Sequence, residues 1–269
     1  MDLAFADKLS SRTDAVIGRP VKSAGSRFKC GLDLGTAYIV LVVLDEGDSP
    51  VACEMQFASV IRDGVVVDYF GTLEIVKNLK AKIEEGIGRE LLYTAIAMPP
   101  GTESSVKTHR YIAEGAGFEV TDVLDEPTAA NAVLRVQNGV VVDIGGGTTG
   151  YSVISGGKVV KVGDEPTGGT HLSLVIAGNR GIPLEKAEAY KQDARNYRTL
   201  LPVVRPVLEK MATIVKRGIE GYAADKLYLC GGTCKLTGIE KVFEEVCGLP
   251  AFVPDNPLLI TPLGIALSC

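Results

Sequence analysis

Tryptophan is absent from the 269-residue sequence, and histidine occurs only at His109 and His171. So few histidines leave little room for a His-based metal centre or a Ser–His–Asp triad. The six cysteines, at 30, 53, 230, 234, 247 and 269, lack zinc spacing. The closest pair, Cys230 and Cys234, has no histidine nearby, so all six read as small buried apolar residues of a reduced cytosolic protein. Aromatics make up 6% of a chain that is 46% hydrophobic, which points to an aliphatic α/β protein. The net charge is −5 and no basic stripe is present, which argues against a nucleic-acid partner. No apolar run reaches the ~20 residues that a membrane span needs. Asp2, Asp7 and Lys8 stand where a signal peptide would be apolar, which predicts a chain that stays in the cytoplasm. A chain of this length suits one large or two small domains.

What the sequence does have is glycine beside acid. In Asp143-Ile-Gly-Gly-Gly-Thr-Thr-Gly-Tyr, a short apolar run leads in and another leads out, the pattern of a β-hairpin with an acid at its mouth. Three consecutive glycines leave backbone N–H groups bare for an anion. Thr148 and Thr149 add hydroxyl donors. Asp143 would repel a phosphate unless a cation stood between them, so the unit asks for Mg²⁺ together with phosphate. An ordinary glycine hairpin is the alternative, and a second copy weighs against it. Cys30-Gly-Leu-Asp-Leu-Gly-Thr-Ala-Tyr has the same layout, with Asp33, Gly35 and Thr36 in the corresponding places. Two such hairpins predict duplicated lobes around one polyphosphate.

Read in order, residues 1–28 predict a short amphipathic helix and a Pro/Gly/Ser linker. The helix is either packed on its own chain or a docking peptide for a partner. Strands follow near 29–34, 38–45, 51–58 and 65–68, with a turn at Arg62-Asp63-Gly64. A helix capped by Thr72 is expected to end at Gly86 and Gly88. Next come a strand over 91–98, a helix over 102–114 and a strand over 118–124. This order predicts a right-handed crossover in a partly parallel sheet. Asp125-Glu126-Pro127 then starts a helix at the C-terminal sheet edge, where ligands bind in open α/β sheets. Asp125 or Glu126 as a plain helix cap stays open here.

Beyond the Asp143 hairpin, Thr167-Gly168-Gly169-Thr170 opens a helix over 171–178, a third turn suited to an anion. Pro183 opens another helix. A long helix is expected over 200–219, with Pro202 in its first turn and Pro206 further in. Strand 226–230 ends in Gly231-Gly232, which reads either as a flat backbone for a ring or ribose, or as a tight β–α turn. A helix over 237–246 follows. A last short helix over 262–267 is placed to cross back onto the first lobe.

Four signals now stand in one order: DLGTAY, DEPTAA, DIGGGTTGY and LCGGTCKLTGI. Their order and spacing over residues 29–269 resemble the actin, sugar kinase and DnaK-type chaperone superfamily. IRDGVVVDY and PTGGTHLSLVIAGNRGIPLEKAEAYK resemble its FtsA, MreB and PilM branch. The whole chain looks most like the EutJ family of ethanolamine utilization proteins. The resemblance implies two duplicated ribonuclease-H-like lobes of actin-like ATPase type, 29–139 and 140–258, with a nucleotide cleft between them. It also implies a reduced upper subdomain in the second lobe and a C-terminal helix, 259–269, returning to the first.

By the same resemblance the cofactors are ATP and Mg²⁺. Asp33 and Asp143 would hold Mg²⁺, through water, and Glu126 would orient the attacking water. Gly35, Thr36 and Ala37 would face the phosphates from one side, and Gly145, Gly146, Gly147 and Thr148 from the other. Gly168 and Gly169 would support phosphates or ribose. Glu188 and Lys191 match ribose and adenine contacts, and Gly231, Gly232 and Lys235 would flank the adenosine. Gly150 stands where DnaK chaperones carry an acid. Lys77, Lys80 and Lys82 are the candidates for a γ-phosphate lysine. The implied function is that of a slow, chaperone-like ATPase. Its client would be ethanolamine ammonia-lyase or a bacterial microcompartment component. A nucleotide-dependent scaffold of FtsA or PilM type and a small-molecule kinase are the alternatives.

Overall fold

The computed structural model describes residues 3–269 apart from 24, 26, 63 and 100–104. The chain runs α1 (Ala4–Asp14), β1 (Phe28–Leu34), β2 (Tyr38–Asp45), β3 (Pro50–Phe57), β4 (Ile61–Arg62), β5 (Val65–Val66), α2 (Tyr69–Ile87), β6 (Tyr93–Met98), α3 (Val106–Gly115), β7 (Glu119–Asp125) and α4 (Glu126–Leu134). It continues through β8 (Gly139–Ile144), β9 (Thr149–Ser155), β10 (Lys158–Glu165), α5 (Gly169–Arg180), α6 (Leu184–Gln192), α7 (Tyr197–Gly218), β11 (Leu227–Cys230), α8 (Ile239–Cys247), β12 (Ala251–Phe252) and α9 (Ile260–Leu267).

Two five-stranded sheets carry the fold, in the orders β3-β2-β1-β6-β7 and β10-β9-β8-β11-β12. The two orders are equivalent. In each, the first strand of an antiparallel meander sits at the centre, and two parallel strands extend the sheet on its other side. The mixed α/β fold is therefore a duplicated one of actin-like type.

Side-chain alternation assigns the layers. Along β2, Ile39, Leu41 and Val43 enter the core beneath α2, while Val40, Val42 and Leu44 enter a second core. Along β8, Val141 joins that same second core, whereas Val140, Val142 and Ile144 pack towards α5, α7 and α8. Period-two alternation with both faces apolar is the pattern of a strand covered on two sides. The shared core is filled by α4, α9 and α1, so a helical layer lies between the two sheets. Gly264 makes that layer possible: a Cβ there would lie 1.7 Å from the Ala129 carbonyl oxygen, so α9 and α4 meet backbone to backbone.

Several local expectations need correction. Helix α2 starts at Tyr69 because the Asp68 carboxylate accepts from the Gly71 N–H at 2.9 Å, while the Thr72 hydroxyl donates back to the Asp68 carbonyl at 2.6 Å. Thr72 is therefore inside the helix, Gly86 does not end it, and Gly88 in the left-handed region does. With Asp68 as cap, the preceding strand is confined to Val65–Val66. Helix α7 starts at Tyr197, so both Pro202 and Pro206 lie inside it, and each removes one intrahelical hydrogen bond. The turn residue Asp63 and the expected helix start at 102–104 lie outside the described residues.

Of the two readings of the N-terminal helix, the structure takes the one packed on its own chain. Ala6, Leu9, Ser10 and Thr13 of α1 are buried, and the helix packs on β3, α4, α9 and the turn Pro257–Leu259. The Asp255 N–H donates to Asp7 Oδ1 and the Asn256 amide to Asp14 Oδ1, both at 2.9 Å. The chain then runs along β3: Ile17 bridges Cys53, Gly18 N–H donates to the Cys53 carbonyl and Val21 N–H to that of Val51. Cys30, Cys53, Cys230 and Cys234 are buried free thiols, each pushed up by burial. Among the described residues, no helix is long and apolar enough to cross a membrane.

Candidate functional site

The two acidic hairpins occupy the same place in the two sheets. Asp33 pairs with Val40 across β1 and β2, and Asp143 pairs with Gly150 across β8 and β9. Each acid sits one rung in from the last ladder pair. The turns meet: a Cβ on Gly146 would lie 2.8 Å from the Ala37 Cβ. Around this contact lies a cavity of about 280 Å³. It gathers Asp33, Gly35, Thr36, Ala37, Glu126, Asp143, Gly145, Gly146, Gly147, Thr148, Glu188, Lys191, Gly231, Gly232 and Lys235.

Three carboxylates share this space. Burial, with the neighbouring Asp143, pushes Asp33 up to about 7. Burial, then the charges of Asp143, Asp33, Asp164 and Asp125, holds Glu126 well above its ordinary value. Burial also raises Asp143, against the Thr261 hydroxyl and the Cys230 thiol. All three shifts are upward, and repulsion among the acids adds to burial for Asp33 and Glu126. A hard dication among oxygen donors is the chemistry that relieves such a cluster. Among the described residues, no three His, Cys, Asp or Glu side chains form a metal cage by themselves. The residues thus fit Mg²⁺ completed by water and phosphate, its ordinary mode of binding. Glu126 starts α4, and the cap is Asp125, whose Oδ1 accepts from the Thr128 N–H at 2.9 Å. Glu126 is therefore spared for the cavity.

The remaining walls come from the second sheet and its helices. Gly231 has φ +90°, and a Cβ there would lie 2.4 Å from Asp143 Oδ1. Only glycine lets this loop pass so close to the carboxylate. The Thr233 hydroxyl donates to the Gly145 carbonyl at 2.9 Å, tying the loop to the second hairpin. Glu188 accepts from Ser173 at 2.5 Å, Lys191 at 2.8 Å and Gln192 at 3.0 Å. Burial pushes its carboxyl up, but Lys191 and these bonds outweigh it and hold Glu188 below its ordinary value. Burial lowers Lys191 and Lys235.

A model of the MreB/Mbl protein family matches residues 50–180, and one of the cell division protein FtsA matches residues 140–264. The ethanolamine utilization protein EutJ of Salmonella typhimurium is 45% identical over 239 residues, 88% of this chain and 84% of that protein. The Escherichia coli protein of the same name is 44% identical with the same coverage. The crystal structure of EutJ from Carboxydothermus hydrogenoformans superposes with a TM-score of 0.94 at 46% identity, covering all of both chains. The chain belongs to the EutJ family. MreB5 of Spiroplasma citri, whose crystal structure is bound to AMPPNP, shares the fold: TM-score 0.74 at 19% identity, over 90% of this chain and 96% of that one.

Within this EutJ fold, Gly168 and Gly169 stand directly behind the cavity wall: a Cβ on Gly168 would lie 2.6 Å from the Gly147 carbonyl carbon, and one on Gly169 2.4 Å from Thr233 Oγ1 and 3.3 Å from Lys191 Nζ. The Gly169 and Thr170 N–H groups donate to the Gly145 and Gly146 carbonyls at 2.9 and 2.8 Å, so the start of α5 braces the second hairpin and its amides are spent. Lys80 is buried against Gly117 and Phe118, and Lys77 and Lys82 are exposed, all on α2 and away from the cavity. The cations at the cavity are Lys191 and Lys235. Sequence reasoning missed Thr261, whose hydroxyl donates to Asp143 Oδ2, and the lining residues Tyr38, Leu172, Gln192, Tyr197, Leu236 and Leu258. Tyr38 and Leu236 lie inside the quoted motifs DLGTAY and LCGGTCKLTGI, whereas the others come to the cavity through tertiary packing.

Proposed function

We propose that this chain binds Mg-ATP between its two hairpins and hydrolyses it slowly, as a chaperone-like protein of ethanolamine utilization. The observation that carries this is the contact of two register-equivalent glycine turns, Ala37 against Gly146, over three buried carboxylates. Asp33 and Asp143 would hold the metal through water. Gly35 to Ala37 and Gly145 to Thr148 would present N–H and hydroxyl donors to the phosphates. Glu126, held high by burial, would orient the water. Glu188 and Lys191 would take the ribose and adenine polar edges, and Gly231, Gly232 and Lys235 the adenosine face. The AMPPNP-bound MreB5 supports this reading by its shared fold. Slow turnover follows from Gly150 in place of an acid and from the engagement of Lys191 by Glu188 and the Gly169 carbonyl. The client is ethanolamine ammonia-lyase or a microcompartment component, met in the cytoplasm.

Calorimetry with Mg-ATP, together with phosphate-release kinetics, tests it. Asp143→Ala should lose roughly tenfold or more in affinity. Glu126→Gln should bind within about threefold of wild type yet release phosphate roughly 100-fold more slowly. Wild-type affinity in Asp143→Ala would contradict the site. Phosphate passed to a small metabolite instead of water would contradict the hydrolytic role.

A further inference from the structure

A second cavity, of about 460 Å³, opens between the end of β10 and α7, and it shares no lining residue with the first. Lys210, Ile214 and Arg217 line it from α7. Their spacing of four and three residues puts them on one face of that helix. Tyr151 enters from β9, and it is placed by two glycines. A Cβ on Gly163, its cross-strand partner, would lie 2.3 Å from Tyr151 Cζ, and one on Gly218, at the end of α7, 2.1 Å from it. Only glycine at both places leaves the phenol this path. The tyrosine is 7% exposed. Among the described residues its hydroxyl has no hydrogen-bond partner and is not fully enclosed, so it opens onto the cavity.

Thr167 is a second buried hydroxyl on the same cavity, 3% exposed. Its backbone is engaged: the N–H donates to the Glu165 carbonyl at 2.7 Å, and the carbonyl accepts from the Thr149 hydroxyl at 2.6 Å. Its own hydroxyl has no partner among the described residues. Lys210 and Arg217 likewise form no ion pair among the described residues, with Glu165 or any other acid. Two hydroxyls and two cations converging without partners match the oxygens of a phosphate group. Burial, then the charges of Glu165 and Tyr222, raises the Tyr151 phenol, so it keeps its proton and donates. Glu165 brings one charge of the ligand's own sign, which suits the site to a single anionic group. Ile214 and Pro166 offer an apolar wall to the rest of the molecule, and the volume is that of a small-ligand site.

We propose that this second cavity binds a small phosphate monoester, with its phosphate against Tyr151, Thr167, Lys210 and Arg217 and its organic part along Ile214 and Pro166. The inference is independent of the nucleotide site. Calorimetry on the full chain with glycerol 3-phosphate, at constant ionic strength, should show saturable binding with a dissociation constant of about 1 mM or tighter. Tyr151→Phe keeps the ring and removes a hydroxyl that bonds nothing in the protein. Its melting temperature should stay at the wild-type value, while affinity for the monoester falls roughly tenfold. Arg217→Gln should lose at least about as much, through the guanidinium fork. Glu165→Gln should bind about threefold more tightly, because a like charge leaves the site. No saturable binding up to about 10 mM would overturn the proposal. So would binding that Tyr151→Phe and Arg217→Gln leave unchanged, since the phosphate would then sit elsewhere, the first cavity included.

Discussion

Asp143 is the most tightly held of the three cavity carboxylates. Thr261 donates to it, Gly231 passes beside it, and the Cys230 thiol opposes the effect of its burial. Thr261 sits on α9 and its hydroxyl donates to Asp143, so it acts by positioning that carboxylate. Thr261→Val should weaken Mg-ATP binding roughly tenfold by leaving a buried carboxylate short of a donor. Thr261→Ser should restore it, and isothermal calorimetry separates the two outcomes. His109 offers a second test at this scale. It is buried on α3, its Nδ1 faces the Ser105 carbonyl at 3.0 Å and its Nε2 has no partner among the described residues. Burial lowers its pKa below the ordinary 6.5. A depressed folded-state value favours the neutral ring, so the stability it supports is full above pH 6.5 and is lost as pH falls through the folded value. Urea midpoints of wild type should drop over that acid range, and those of His109→Gln should drop less. Parallel curves for both proteins would remove His109 as the cause.

At the scale of elements, the helical middle layer holds the two sheets in place. Leu9 of α1 is buried in that layer, and Leu9→Ala should cost about 2–3 kcal/mol in chemical denaturation. Gly264→Ala should cost at least about 3 kcal/mol, since its new methyl meets backbone rather than a yielding side chain. Deletion of residues 1–18 should weaken Mg-ATP binding as well as stability, because α1 anchors Asp255 and Asn256 next to the lining residue Leu258. Elements with a local signature were legible in the sequence: the two acidic hairpins, the Asp125-Glu126-Pro127 helix start and the glycine pair after β11. The Thr72 cap was misread because a carboxylate four residues earlier reaches the helix N–H groups first. The bracing role of Gly168 and Gly169 was hidden, because which partner takes an amide depends on a neighbour distant in sequence. Which of its two readings helix α1 takes was hidden for the same reason, its apolar face being matched by residues from β3, α4, α9 and the turn Pro257–Leu259.

At the scale of the whole molecule, duplicated sheets bring two half-sites to one gap. The Tyr38 hydroxyl, on the first sheet, donates to Gln192 Oε1 of α6 at 3.3 Å, a bond across the mouth of that gap. Ligand that binds only the folded, closed form stabilises it by mass action, about 2.7 kcal/mol at 100 times the dissociation constant. Mg-ATP should therefore raise the melting temperature, and Tyr38→Phe should reduce that rise while leaving the ligand-free value nearly unchanged. The most direct measurement is a crystal structure grown with Mg²⁺ and AMPPNP. The account predicts a triphosphate lying between residues 35–37 and 145–148, with one metal between the carboxylates of Asp33 and Asp143. Nucleotide bound outside that gap, or a gap empty at saturating ligand, would contradict it.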